Sequence, residues 1–217
     1  MADIFHEVDE EVRREQLKKL WDRYSLLIIA VAVLIVVGIG GWQGYQWWIG
    51  KRSAAAGADF EAAVTLSEQG KHAEAEAAFA KAAAAAPDGY RVLARLRAAT
   101  ELASSKPADA VKAYDALAAD NSLGTTWQDL AGVRAGMLLI DTAPLAEMQK
   151  RLAPLTEPDR IYRHTARELL ALSAWKNNDP TAAKRYLDMI ATDGDTPAGT
   201  RARADMLTAL IAGNGKS

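Results

Sequence analysis

The sequence contains no cysteine, and it has no stretch of alternating apolar and polar residues long enough to predict a β-strand. A chain without cysteine has no disulfide framework, no thiolate nucleophile and no cysteine-based zinc site. Proline is sparse, and from residue 51 onward proline and glycine fall mostly at breaks between runs of good helix-forming residues. These absences exclude the cysteine chemistries and predict an all-α fold.

The chain also lacks an excess of charge of either sign. Residues 1–23 hold five of the 26 Lys and Arg residues and seven of the 28 Asp and Glu residues, which leaves 21 of each for the rest of the chain. Nucleic-acid-binding domains carry a clustered excess of positive charge. We therefore expect no nucleic acid among the partners of this protein.

One long uncharged stretch, residues 24–50, stands out, and its centre reads LLIIAVAVLIVVGIGGW. About 20 apolar residues in an α-helix span the roughly 30 Å hydrocarbon core of a bilayer. Aromatic side chains, which favour the headgroup layer, flank the stretch on both sides. They are Trp21 and Tyr24 before it and Trp42, Tyr45, Trp47 and Trp48 towards its end. We predict a single transmembrane helix with the lipid bilayer as its partner.

Basic residues beside this stretch predict its orientation, because the more basic flank tends to stay in the cytoplasm. Five Lys or Arg residues precede the stretch, and Lys51 and Arg52 follow it. This difference predicts a cytoplasmic N-terminus and a C-terminal domain outside. A cleaved signal peptide is the alternative, with an A-x-A-like site at residues 54–56, but the apolar core exceeds the roughly 7 to 15 residues typical of such peptides.

Residues 1–23 are predicted to form a cytoplasmic amphipathic helix. The segment lacks Gly and Pro, its apolar residues recur at roughly helical spacing, and its acidic residues precede its basic ones, which complements a helix dipole. We expect ion pairs such as Asp9 with Arg13 and Glu15 with Lys19. The helix is either a docking or membrane-surface element or a solvated orientation signal.

Two glycines within the apolar stretch, Gly40 and Gly44, form a GxxxG spacing that lets two helix backbones approach closely. We predict that they pack against a second copy of this helix or against a partner helix. The alternative is that glycines near a helix end only loosen the exit of the chain.

A repeat emerges from residue 51 onward. Pro107, Pro144 and Pro180 are 37 and 36 residues apart, and each starts a helical run. An alanine one helical turn before an aromatic residue recurs at a second position of the repeat, in Ala75 with Phe79, Ala110 with Tyr114, and Ala182 with Tyr186. The small residue lets neighbouring helices approach while the ring fills the gap beside them. The repeat of about 36 residues holds two helices.

The repeat predicts four helix pairs and a last helix, 197–212, that caps the exposed end of the stack. The predicted pairs are 53–69 with 72–86, 89–104 with 107–119, 124–141 with 144–154, and 158–177 with 180–191. Turns are expected at Gly70 and at residues 177–179 and 193–195. Phe79 and Trp175 are expected in the core.

The pattern resembles the tetratricopeptide repeat. The second-helix signature of that repeat is a small residue, an aromatic residue, another small residue and a final proline, and it is matched by Ala75, Phe79, Ala82 and Pro87. Other copies depart from the signature, and the copy that starts at Pro144 is degenerate. The resemblance implies a divergent tetratricopeptide-like α-solenoid over roughly residues 53 to 212.

The layout as a whole resembles the bacterial YfgM family. A short charged N-terminal helix is followed by a single span that leaves through GIGGW and YQWW, and then by a divergent repeat domain. That family is described as an ancillary subunit of the SecYEG translocon. The resemblance implies an inner-membrane protein whose residues 51–217 form a periplasmic domain. It also implies translocon subunits and periplasmic chaperones, including a membrane-anchored prolyl isomerase, as partners.

Catalysis needs clustered polar groups, and the sequence offers few. His164 and Glu168 lie one helical turn apart, a spacing that could hold a metal, but no further ligand is close in sequence. The acidic turn at residues 193–195 lacks the later ligands of a calcium loop, so a polar turn is the better interpretation. We therefore predict no enzyme activity, no cofactor and no metal site.

The remaining candidate is a binding surface. The concave face of a stack of helix pairs, usually lined by the first helix of each pair, binds extended or helical peptides. We predict that six residues contribute to this face: Arg91, Arg95, Trp127, Arg134, Tyr162 and His164. Solvated surface is the alternative for these residues, and Trp127 and Tyr162 could instead be core residues, because large rings are usually buried.

The leading functional hypothesis is a non-enzymatic, membrane-anchored adaptor that binds proteins or peptides at the outer face of the cytoplasmic membrane. The alternative is a homo-oligomeric scaffold for envelope assembly or cell division, held together through Gly40 and Gly44. An enzyme that uses His164 and Glu168 is a third possibility.

Overall fold

The computed structural model describes residues 3–214, apart from the side chains of residues 3–17, 19, 20, 22, 88 and 214. Within that range the chain forms nine α-helices and one short 3-10 helix, and it has no strand. The helices are α1 (Asp3–Glu68), α2 (His72–Ala85), α3 (Asp88–Ala103), α4 (Pro107–Ala118), α5 (Thr125–Leu139), α6 (Leu145–Leu152), α7 (Arg163–Lys176), α8 (Pro180–Thr192) and α9 (Ala198–Asn214), and the 3-10 helix covers Ala153–Thr156. The predicted all-α fold is confirmed.

Two compact units divide the chain, Met1–Arg52 and Ser53–Ser217. In the first unit, the described apolar side chains of α1 are exposed apart from the half-buried Ile49, with Leu26 at 84% and Leu34 at 73%. Among the described residues, one helix is long and apolar enough to cross a membrane by length and composition, from Arg23 onward. The first unit therefore presents apolar surface that the chain itself does not bury.

The predicted side-chain features of the N-terminal tail lie outside the residues whose side chains are described. These are the pairs Asp9 with Arg13 and Glu15 with Lys19, together with the proposed apolar stripe. The tail, the span and residues 53–69 are predicted as successive helical segments, and the structure joins them in one helix, α1. The helix is unbroken because the first proline of the chain is Pro87, and a helical glycine lowers helix stability by only about 1 kcal/mol.

The second unit is a stack of helices. From α2 to α9, each helix contacts the next one in the chain, and α3 with α5, α5 with α7, and α7 with α9 are also in contact. The helices α3, α5 and α7, which are the first members of the second to fourth predicted pairs, therefore lie side by side, with α9 next to α7. Four helix pairs followed by a capping helix are thus confirmed.

Local signals in the sequence explain the helix boundaries. Pro107 and Pro180 occupy the first turns of α4 and α8, where the missing N–H group is not needed. The Asp179 carboxylate accepts a hydrogen bond from the Ala182 backbone N–H at 2.8 Å and caps α8. Gly70 ends the turn after α1 with a φ of 73°, a conformation that glycine adopts without steric penalty.

One predicted helix starts later than expected. The sequence predicted a helix from residue 158, but α7 begins at Arg163. Glu157 is extended, as residues before proline generally are, and the segment that follows it forms turns. Arg160 in this segment donates to Asp129 of α5 at 3.2 Å, which holds the segment against the stack.

The core of the second unit is continuous in its C-terminal half and divided in its N-terminal half. The largest cluster joins α5 to α9, and Met148, Leu152, Leu170 and Ile190 are fully buried in it. Trp175 packs against this cluster but remains half-buried. A smaller cluster surrounds Phe79, and its other fully buried members are Ala63 and Ala75, which let the backbones approach closely.

The repeat positions behave as predicted in two copies. Ala75, Ala110 and their aromatic partners one turn later are buried. In the last copy the fully buried alanine is Ala183 rather than Ala182, which is half-buried. In the degenerate copy, Ala146 and Lys150 are exposed, and Met148 and Leu152 supply the core contacts instead, because the buried face of α6 is shifted by two residues.

Candidate protein-binding surface

A groove of about 430 Å³ opens between the first turns of α3, the loop after α4 and the start of α5. It brings together three of the six residues that the sequence analysis proposed as a binding surface, Arg91, Arg95 and Trp127. The other lining residues are Gly89, Val92, Asp120, Ser122 and Leu123. The groove therefore combines two apolar side chains, an indole and two guanidinium groups.

The walls of the groove are fixed by a short hydrogen-bond network. Arg95 Nη1 donates to Asp120 Oδ2 at 2.7 Å, and Asp120 Oδ1 accepts from the Ser122 hydroxyl at 2.6 Å. The Arg95 guanidinium, followed by the Ser122 donors, lowers the pKa of Asp120 to about 2. Asp120 is therefore ionised at neutral pH, and it orients the Arg95 side chain along the groove.

Trp127 presents a half-buried indole to the groove. Gly124, whose φ is 74°, lets the chain turn sharply into α5, so that Trp127 falls in the first turn of that helix. Arg134 is exposed and lies seven residues, or about two turns, further along α5 on the same face. This face adds Arg134 as a third cationic position beyond the two arginines of the groove.

Tyr162 and His164 are placed differently. Tyr162 is the residue that precedes α7, and its half-buried ring packs against the large core cluster. His164 is 8% exposed, and its Nδ1 atom lies 3.2 Å from the Thr196 hydroxyl, which itself donates to the Ile190 carbonyl. Burial, followed by the positive charge of Arg163, lowers the pKa of His164. His164 faces the protein interior, and we omit it from the candidate surface.

The sequence analysis missed a cluster of charges that surrounds Asp193. Arg167, which is 5% exposed, donates to Asp193 Oδ2 at 2.6 Å and to the Thr156 carbonyl at 2.7 Å. Arg163 Nε also donates to Asp193, at 2.9 Å. These two arginines hold the pKa of Asp193 well below its usual range. The cluster ties α7 to the turn before α9, which confirms that residues 193–195 form a polar turn.

A weak sequence signal for this cluster does exist, because Arg163 and Arg167 are one turn apart on a helix and the acidic turn lies within the same repeat. Periodicity, however, does not show which turn the arginines face.

The described residues contain no group of three or more His, Asp or Glu side chains arranged to hold a metal ion. Glu168, the proposed companion of His164, instead accepts a hydrogen bond from Arg203 Nη2 of α9 at 2.8 Å. Since its carboxylate is occupied by that arginine, Glu168 acts in packing α9 on α7.

The stacked helix pairs and the groove along their first helices define a helical-repeat protein. Residues 18–169 match the family model of the tetratricopeptide repeat-like domain, which covers more than half of the chain. The chain belongs to the tetratricopeptide repeat-like domain family. No curated protein and no solved structure matches the sequence significantly.

Proposed function

We propose that the protein is a non-enzymatic, membrane-anchored adaptor that binds other proteins through the first-helix surface of its repeat domain. The observation that carries this proposal is the groove, because three residues that their sequence positions predict for the binding face, Arg91, Arg95 and Trp127, line one cavity. Repeat-like domains of this family are generally protein-interaction modules. An indole beside arginines is also the composition found at binding hot spots.

Residues 24–50 form the anchor in this proposal. Its support is the run of exposed apolar side chains from Leu26 to Ile39, which no other part of the described chain covers within its unit. The surplus of basic residues before the span supports an N-terminus in the cytoplasm and a repeat domain, residues 51–217, in the bacterial periplasm. The resemblance to the YfgM family supports translocon subunits and periplasmic chaperones as partners.

Site-specific photocrosslinking in native membranes tests the binding surface. A photoreactive amino acid at Arg134, which is exposed on the groove face, is expected to capture a translocon subunit or a periplasmic chaperone. The same amino acid at Lys112 of α4, whose side chain is 78% exposed, is the matched control and should not capture that partner. Trp127→Ala should abolish the crosslink from position 134. Equal capture from both positions, or no such partner from position 134, would contradict the proposal.

A homo-oligomeric scaffold is the second candidate. A Cβ atom added at Gly40 or Gly44 would meet nothing within 4 Å among the described residues, so both glycines are open to a neighbouring helix. Gly40→Ile with Gly44→Ile should dissociate the oligomer, whereas Gly41→Ile, on another face of the helix, should leave it intact. A monomer in native membranes before any substitution would exclude this scaffold.

A further inference from the structure

Two tryptophans and two cations form a distinct arrangement where the apolar part of α1 ends. The Lys51 ammonium lies 4.5 Å from the centre of the Trp47 ring, and the Arg52 guanidinium carbon lies 4.8 Å from that of Trp48. Both distances fall within the roughly 6 Å range of cation–π attraction. The Tyr45 ring lies 6.4 Å from the Trp48 ring and extends this group.

The geometry of the helix explains why the cations lie back over the rings. Side chains on an α-helix point towards its N-terminus, so a residue covers the surface about one turn before its own position. Lys51 and Arg52 therefore lean towards the apolar run, and their charges lie about 6 Å closer to it than their backbone positions indicate. Trp47 and Trp48 remain 63% and 49% exposed, so the ring–cation pairs face outward.

The depth of the group follows from the length of the run. Tyr24 and Tyr45 are 21 residues apart, which is about 32 Å along an α-helix and close to the thickness of the hydrocarbon core. If Tyr24 marks one interface, Tyr45 marks the other, and Trp47 and Trp48 lie in the headgroup layer. The cations above them are then at the level of the lipid phosphates.

The sequence supplies no internal counter-ion for these cations at helical spacing. No Asp or Glu occurs between Asp22 and Asp59, so the positions one turn before and one turn after Lys51 and Arg52 hold no carboxylate. Two positive charges that are held in place and face outward attract the negative leaflet surface of anionic lipids.

We propose that Trp47, Trp48, Lys51 and Arg52 form a clamp for the phosphate groups of anionic phospholipids in the leaflet on the side of residue 52. This inference rests on the proposed membrane anchor, and it adds a lipid class that the anchor by itself does not require. The rings hold the ammonium and guanidinium groups at phosphate depth, and the phosphates supply the negative charge that the helix lacks.

Quenching of tryptophan fluorescence by brominated lipids tests the clamp in the full chain. The chain, with Trp21→Phe and Trp42→Phe, is reconstituted into vesicles that contain brominated phosphatidylglycerol or brominated phosphatidylcholine. The signal of Trp127 and Trp175 is subtracted with a matched variant that also carries Trp47→Phe and Trp48→Phe. The ratio of the two quenching efficiencies gives the relative association of anionic and zwitterionic lipid, and we expect at least about a fivefold preference for the anionic lipid.

Three variants distinguish lipid binding by the clamp from attraction by net positive charge alone. Lys51→Gln with Arg52→Gln should lower the preference to about onefold. Adding Ala54→Lys and Ala55→Lys to that variant restores the net charge at exposed positions that have no ring one turn earlier, and it should restore little of the preference. Arg23→Gln at the other end of the span, where the cation lies 5.7 Å from the Tyr24 ring, should leave the preference unchanged.

The outcomes distinguish the clamp from the anchor. Strong quenching by both brominated lipids with a ratio near one, or a ratio that the relocated lysines restore fully, would overturn the clamp while the anchor stands. Absence of quenching by either lipid would overturn the anchor and the clamp together.

Discussion

The two units of the chain handle apolar side chains in opposite ways. In Met1–Arg52, Leu34 is 73% exposed, and in Ser53–Ser217, Leu170 is fully buried. The second unit covers its leucines by stacking helix pairs, whereas the described leucines of the first unit have only solvent or a bilayer to cover them. Both units share a high helix propensity, and they differ in what covers their apolar side chains.

The largest expected effect comes from charge in the middle of the exposed run. Leu34→Arg with Val37→Arg adds two charges to the proposed transmembrane segment, at an insertion cost of about 5–7 kcal/mol in total. We expect the full chain to leave the carbonate-washed membrane pellet. Met206→Arg with Leu210→Arg, at exposed apolar positions of α9, is the matched control and should remain in the pellet. If the variant with Leu34→Arg and Val37→Arg remained in the pellet at the wild-type level, a bilayer would not be what covers the apolar side chains of the first unit.

The next effect tests the charge cluster inside the second unit. Arg167→Met removes the donor of the Thr156 carbonyl, and a buried carbonyl left without a partner costs about 1–3 kcal/mol, while Asp193 keeps its bond from Arg163. Urea denaturation of a fragment of residues 53–217 should show this loss. Arg134→Met, at an exposed position, should change the free energy of unfolding by less than about 0.5 kcal/mol. Equal stability of both variants would show that the cluster does not hold α7 to the turn before α9.

Two glycines, one in each unit, provide a further test with a smaller expected change in stability. A Cβ atom at Gly136 would lie 3.0 Å from the Leu152 Cδ1 atom, whose side chain is fully buried, whereas a Cβ atom at Gly40 would meet nothing within 4 Å. Overpacking costs about 1–3 kcal/mol, against a gain of about 1 kcal/mol in helix propensity. Gly136→Ala should therefore destabilise the second unit by about 1 kcal/mol in thermal unfolding, and Gly40→Ala should not change that transition. An increase in stability for Gly136→Ala would mean that α5 and α6 are less tightly packed than described.

The smallest expected effect is a loss of folding stability in mild acid. The pKa of His164 is lower in the folded state, mainly because of burial, so the folded chain binds fewer protons than the unfolded chain as the pH falls. Its contribution to stability is complete above the unfolded pKa of about 6.5 and is lost as the pH drops through the folded value. The groups around it are the cations Arg163 and Arg167 and the carboxylates Asp193 and Asp195.

Urea denaturation at pH 7 and at pH 5 measures this effect, and His164→Gln should make the two results more alike. If the free energy of unfolding changed equally between pH 7 and pH 5 in the wild type and in the variant, the assignment to His164 would be contradicted. A second loss is expected below about pH 4, where Asp193 begins to take up protons only in the unfolded chain.

The sequence alone predicted the parts of the structure that periodicity controls. Helix order, the pairing of α1 through α8 and the buried positions of Phe79 and Tyr114 follow from the spacing of small, aromatic and proline residues. The groove was partly predictable, because Arg91, Arg95 and Trp127 lie on first helices. The position of a residue on a first helix does not fix its exposure, however, and for that reason His164 was assigned to the surface.

Ion pairs between residues that are far apart in the sequence could not be predicted for the same reason. Asp193 meets Arg163 and Arg167, which precede it by 30 and 26 residues, and that pairing depends on how α7 packs against the turn after α8. The late start of α7 depends on Pro158 and on the ion pair of Arg160 with Asp129, which joins two repeats. Contacts between repeats do not recur with the period of the repeat, so the sequence pattern does not predict them.

Alkaline phosphatase fused after Ser217 of the full chain in a bacterial host tests whether the repeat domain is anchored on the outer side of the membrane, because this enzyme is active only outside the cytoplasm. We expect an active fusion that remains in the carbonate-washed membrane fraction. An inactive fusion would place the repeat domain in the cytoplasm. An active fusion in the soluble fraction would mean that residues 24–50 are a cleaved signal peptide, and either result would contradict a membrane-anchored repeat domain on the outer side.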